Sequence, residues 1–137
     1  MHRITLLAIF AILTMEPITT STAAPAGDAS RGERLFGTLP CVSCHDVTKP
    51  WPGGEICPNL GNIATEAARI VRSRDYRGKA KTAAEYIRES IMDPNAYIVP
   101  GAKYRTAEGQ SLMPKDFGTT LTGAQIDDLV AYLLTRR

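Results

Sequence analysis

Cys41-Val42-Ser43-Cys44-His45 is the segment in which residue type and spacing point most directly to chemistry. Two thiols three positions apart can reach the two vinyl groups of one haem and form thioethers. The histidine that follows the second thiol then lies under the iron and can donate an imidazole nitrogen. C-x-x-C-H is the attachment signature of covalent haem for that reason. Three other readings of the pair compete. A dithiol redox pair needs a βαβ context, which the sequence does not show. A zinc site needs further Cys or His ligands, and of the three cysteines only Cys57 is left over. A disulfide between Cys41 and Cys44 needs only an oxidising compartment.

The start of the chain suggests such a compartment. Met1-His2-Arg3 is positive, Ile4 to Met15 is apolar apart from its threonines, and a small-residue stretch follows Glu16-Pro17. This is the pattern of a secretory signal peptide over residues 1–26, with cleavage expected after Ala26 or Ala23. The apolar run falls short of the roughly 18–20 residues a membrane-spanning helix needs, so no stable span is expected after cleavage. The expected product, residues 27–137, is one domain with a periplasmic or otherwise exported location.

Removing that segment shortens the list of second ligands for an iron. His2 leaves, so His45 becomes the only histidine and bis-histidine ligation is excluded. Met1 and Met15 leave too. Met113, Met92, Cys57, a lysine amine or no protein ligand remain. Met113 lies in Ser111-Leu112-Met113-Pro114, where a loop could bring a thioether over the haem. Met92 closes a helical stretch, where simple packing accounts for it. Met113 is therefore the preferred axial partner of His45.

Four helical stretches are expected to hold these residues, and no strand pattern is evident. The first runs from about Asp28 to Leu35, with Asp28 as its cap and Gly37 as its end. The second covers roughly Asn62 to Arg72, with Ile63, Ala67, Ile70 and Val71 on one stripe. The third begins at the capping box Thr82-Ala83-Ala84-Glu85 and stops near Met92, ahead of Pro94. The fourth begins at Thr122-x-x-Gln125, stapled by Leu121 and Ile126, and carries Leu129, Val130 and Leu133 on one face. Between the third and fourth lies a long loop, Asp93 to Gly118. A structureless loop of that length in a small domain wraps something or is functional.

Composition excludes broad classes. The 137 residues suit one domain, and a net charge of +2 gives no strong field for nucleic acid or a membrane surface. Losing Arg3 and Glu16 removes one charge of each sign and leaves that balance unchanged. Arg69, Arg72, Arg74, Arg77, Lys79 and Lys81 form a basic run, read as a solvated face or a dock for an acidic partner. Trp51, between two prolines, is a candidate to cover a haem edge.

The chain resembles the small class I cytochromes c. The resemblance rests on Gly32-Glu33-Arg34-Leu35-Phe36, C-V-S-C-H at 41–45, Pro58-Asn59-Leu60, Met113-Pro114 and Leu129-Val130-Ala131-Tyr132-Leu133. It implies an all-α class I cytochrome c fold, with about four helices around one haem c held by thioethers to Cys41 and Cys44. It implies axial ligation by His45 and Met113. The first and last helices should cross at a glycine, Gly32, against Tyr132 and Leu133. The Pro58 carbonyl should accept from the other nitrogen of His45, fixing its tautomer. Tyr97, Tyr104 and Phe117 are candidates to pack on the macrocycle. Cys57 departs from the pattern, since relatives often have glycine before that proline. It is read as a small buried hydrophobe, a surface thiol for an intermolecular disulfide, or, least in keeping with its place, a ligand.

The function so implied is one-electron transfer with no turnover of its own, through small, transient contacts with redox partner proteins. Residues 86–101 are also similar to haem domains attached to respiratory complexes. The alternative is therefore an electron-transfer subunit of a larger oxidoreductase complex. A haem gas sensor is a third reading, if Met113 leaves the iron.

Overall fold

In a computed structural model the described residues are 27–137; the expected leader lies outside them. Their elements are α1 (Ala29–Thr38), α2 (Cys41–Cys44), α3 (Ile63–Ile70), α4 (Ala83–Met92), a 3-10 turn (Ala102–Tyr104), α5 (Phe117–Thr120) and α6 (Gly123–Leu133). No described helix is long and apolar enough to cross a membrane. Among the described residues the only strand-like pairing is an isolated bridge between Arg105 and Ser111.

The four expected helices are present, and their caps explain most of the boundaries. Thr82 accepts from the Glu85 N–H at 3.2 Å while the Glu85 carboxylate returns to the Thr82 N–H at 3.1 Å. Thr122 and Gln125 close the same reciprocal pair. Each satisfies N–H groups that the first helical turn leaves without partners. Asp28 caps α1 by accepting from Arg31 N–H at 2.7 Å.

Two boundaries differ from the expectation. Gly37 does not end α1, which continues to Thr38; Leu39 leaves the helix with φ −80° and ψ 164°. The residue before a proline is pushed into extended backbone, so Pro40 sets the stop. The second helix ends at Ile70 rather than Arg72, with Val71 as its cap. Asn62 does not cap it through its side chain, because Asn62 Oδ1 accepts from the Trp51 N–H at 2.7 Å. The expected long loop also carries the 3-10 turn and α5.

α1 and α6 form the most extensive pairing in the molecule. Two glycines permit it. A Cβ at Gly27 would collide with the Asp127 carbonyl, and one at Gly32 with the Asp128 carbonyl and Tyr132 Cβ. The close approach at Gly32 therefore falls on Asp128 and Tyr132, not on Tyr132 and Leu133. Beside it, Asp128 is buried yet fully engaged. Its carboxylate takes Arg31 Nε at 2.8 Å, a second Arg31 nitrogen at 2.9 Å and the Asp28 N–H at 2.7 Å. Phe36 and Tyr132 stack 5.5 Å apart across the same junction. The Arg136 guanidinium covers the Tyr132 ring at 4.9 Å.

Two arginines of the basic run are engaged within the fold. Arg69 pairs with Glu66, and Arg77 donates to the Arg74 and Tyr76 carbonyls. Arg72, Arg74, Lys79 and Lys81 are exposed.

Gly32→Ala should lower the unfolding free energy by about 1–3 kcal/mol, since the obstructing atoms are mostly backbone and cannot rotate away; denaturant unfolding of the haem-loaded protein reads this. The Arg31 hydrogen bonds hold the Asp128 carboxyl below its ordinary value. A depressed carboxylate stabilises above its unfolded pKa of about 3.9 and loses that contribution as pH falls through the folded value. The stability gap between the natural protein and Asp128→Asn should accordingly be open at neutral pH and narrow steadily below about pH 4. Denaturant midpoints measured across a pH series check it.

Candidate haem site

The C-x-x-C-H segment opens with Pro40 and forms the single turn α2, whose i, i+3 spacing puts Cys41 and Cys44 on one side. His45 leaves the turn in extended backbone, φ −109° and ψ 124°, while its N–H still bonds the Cys41 carbonyl at 2.8 Å. The imidazole is thereby carried out of the helix and into a cavity.

His45 Nδ1 lies 2.7 Å from the Pro58 carbonyl oxygen. A carbonyl can only accept, so Nδ1 carries the proton and Nε2 keeps its lone pair. Burial lowers the His45 pKa, opposed by the Pro58 hydrogen bond. Pro58 is itself fixed by its surroundings. Leu60 N–H bonds the Asp46 carbonyl, Asn59 N–H the Pro52 carbonyl and Gly61 N–H the Lys49 carbonyl, each at 2.8 Å. The 46–62 segment is thus a hydrogen-bonded cradle for one imidazole, built with little regular structure.

The cavity that receives it has a volume of about 960 Å³ including its open mouth. Phe36, Leu129 and Leu133 of α1 and α6 form one apolar wall, and Tyr86, Ile87 and Ile91 of α4 another. Met113, Tyr97, Tyr104 and Phe117 also line it, as do Cys41, Cys57 and Trp51. Ser90, which interrupts the apolar stripe of α4, faces into it. Met92 does not line it and is 45% exposed, whereas Met113 is partly buried against the core. The mouth is marked by Ile56 and Leu112, both lining residues that stay exposed.

Cys57 is 6% exposed, which removes it as a surface thiol for an intermolecular disulfide. Its pKa is pushed up to about 12, first by burial and then by the neighbouring Cys44 thiol. The position resembles that of a small core hydrophobe.

Sequence reasoning missed the residues that hold this scaffold together. Neither the Arg31–Asp128 pair nor the Tyr104 hydroxyl donating to the Gly53 carbonyl at 2.7 Å has a local signal. Their partners are 97 and 51 positions away.

The donor set fits a covalently attached haem: an apolar slot, two thiols on one helical turn, an imidazole whose Nδ1 is engaged by the Pro58 carbonyl, and a thioether on the lining. Among the described residues no group of three or more His, Cys, Asp or Glu side chains is placed to hold a metal ion alone.

Comparison with known proteins points the same way. The family model described as Cytochrome c matches residues 29–137. The chain is 35% identical over 91 residues to a cytochrome c of Chlamydomonas reinhardtii, covering 63% of this chain and 79% of that one. It is 33% identical over 85 residues to a cytochrome c of Guizotia abyssinica, covering 58% and 74%. To a cytochrome c of Ginkgo biloba it is 32% identical over 89 residues, covering 61% and 76%. No solved structure matches the chain significantly.

The burial of Cys57 yields a direct expectation. With both other thiols in thioethers, the folded protein should take up no maleimide over minutes, and the denatured protein one equivalent. Mass spectrometry of the alkylated chain counts them.

Proposed function

The chain belongs to the cytochrome c family, whose cofactor is one covalently bound haem c and whose work is haem-based electron transfer; from that membership we propose that this protein is a one-electron shuttle between redox partners. Cys41 and Cys44 would hold the haem through two thioethers, and His45 and Met113 would hold its iron. The observation that carries this assignment is the His45 Nδ1–Pro58 hydrogen bond, which leaves Nε2 free inside a cavity that Met113 also lines.

Bound there, haem c supplies an Fe(III)/Fe(II) couple. The residues of the chain set how that couple behaves. Pro58 holds the imidazole in one tautomer and one orientation, and its hydrogen bond strengthens the ring as a donor. The Met113 thioether is a soft ligand and favours the reduced state over what two nitrogen ligands would give. The apolar walls from α1, α4 and α6 keep out water and penalise the extra positive charge of the oxidised state. With His45 and Met113 both holding the iron, no position would be left for a substrate, which supports a carrier without turnover of its own.

Ile56 and Leu112 offer partners a small apolar contact at the mouth, and Val42 of α2 is exposed as well. A contact of that kind suits brief encounters better than a permanent interface. The near-neutral charge adds little steering, because two haem propionates would offset the +2 of the polypeptide. Export directed by residues 1–26, to the periplasm or an equivalent compartment, completes the proposal.

An alkaline pyridine spectrum and the intact mass test attachment together. The mass should exceed the polypeptide by one haem, and a colourless product or bare mass refutes the assignment. Met113→Ala should abolish the weak near-infrared charge-transfer band of the ferric protein and open the reduced protein to carbon monoxide. An unaltered band refutes Met113 as ligand.

A further inference from the structure

Met113 sits in a segment, residues 93–116, whose only regular structure among the described residues is one 3-10 turn. Ordering such a segment costs backbone entropy at every residue. The thioether has to keep its place against that cost, and backbone anchors beside Met113 oppose it.

The structure shows where one anchor lies. α4 ends at Met92, and Pro94 cannot continue it. Asp93 folds the chain back: its carbonyl takes the Ala96 N–H at 3.0 Å and its Oδ1 the Asn95 N–H at 3.2 Å. The turn presents Asn95. Its side-chain oxygen accepts the Ser111 N–H at 2.8 Å, in partly buried surroundings and across 16 positions of sequence. Ser111 Oγ then accepts the Met113 N–H at 3.1 Å. The bridge from Arg105 to Ser111 and the Leu112 N–H to Tyr104 carbonyl bond, at 3.3 Å, fix the register of the same strip. Ser111 and Met113 line the cavity and Asn95 does not. The other tie, from the Tyr104 hydroxyl to Gly53, is exposed, where water competes for both partners.

We infer that Asn95 is a positioning residue for the axial thioether: by holding Ser111 to the end of α4 it keeps Met113 seated in the cavity. This rests on Met113 being the ligand. Losing one partly buried hydrogen bond raises the fraction of molecules with the thioether displaced by about two- to tenfold. An outside ligand that needs that displaced state binds tighter by the same factor.

The test is imidazole titration of the haem-loaded ferric protein, with the near-infrared band followed alongside. Asn95→Ala should bind imidazole about two- to tenfold more tightly. Asn95→Asp keeps an oxygen acceptor for Ser111 and should stay at the natural affinity; a general weakening of the fold would not be rescued this way. Ser111→Ala should tighten imidazole similarly. The double variant should fall short of the summed effects, because both residues act on one chain of bonds. An unchanged affinity in Asn95→Ala, or an Asn95→Asp shift as large as that of Asn95→Ala, overturns the inference. Should Asn95→Ala fail to load haem, an unchanged affinity in Ser111→Ala overturns it instead. Met113→Ala separates the two levels. If it tightens imidazole strongly while Asn95→Ala does not, only the positioning role falls. If it leaves affinity and band untouched, the ligand assignment falls and the inference with it.

Discussion

The side chains that make the hydrophobic core are largely those that line the cavity. Phe36, Leu60, Ile63, Tyr86, Ile87, Ile91, Phe117, Leu129 and Leu133 belong to both. The helices are therefore packed around a slot, and its occupant is part of the core. In a family whose cofactor is a covalent haem, the macrocycle supplies apolar surface that so short a chain cannot supply itself. A covalently attached haem stays on the unfolded chain as well, so what it adds to folding is the burial of its apolar surface.

The α1–α6 junction beside that slot is built differently. There the backbones approach so closely that glycine is required at positions 27 and 32. A buried carboxylate would be costly at such a place without partners. Asp128 has three donors, two of them from one guanidinium, so the charge is met in a forked geometry. This junction joins the two ends of the domain, and the Ala64 N–H to Arg136 carbonyl bond at 2.8 Å ties α3 to the same end. The loops that carry His45 and Met113 can be irregular because their ends are held by this frame.

The two sides of the cavity follow unlike rules. On the His45 side, backbone groups in residues 46–62 bond one another within short sequence distances. The imidazole there is positioned locally. On the Met113 side the segment is long, and its register depends on Asn95 and Tyr104 within it and on Gly53, 51 positions from Tyr104. Relatively few bonds restrain the thioether, which leaves it less firmly placed than the imidazole.

The sequence by itself determined the chemistry-bearing turn, the four main helices and two of their capping boxes. All of these depend on residues within about four positions, where type and spacing act directly on backbone N–H groups or on one helical face. The tertiary structure decided what depended on distant partners. The stop of α1 at Pro40 rather than Gly37 is the exception, a steric effect on the preceding residue that the sequence itself carries. Asn62 gave its side chain to Trp51 rather than to its own helix. Burial placed Cys57 inside and left Met92 in solvent. Asp128, one more acidic residue on an amphipathic helix when read in sequence, became the charge that joins the first helix to the last. Only folding brings groups 97 positions apart within bonding distance, and no local pattern encodes which of them will meet.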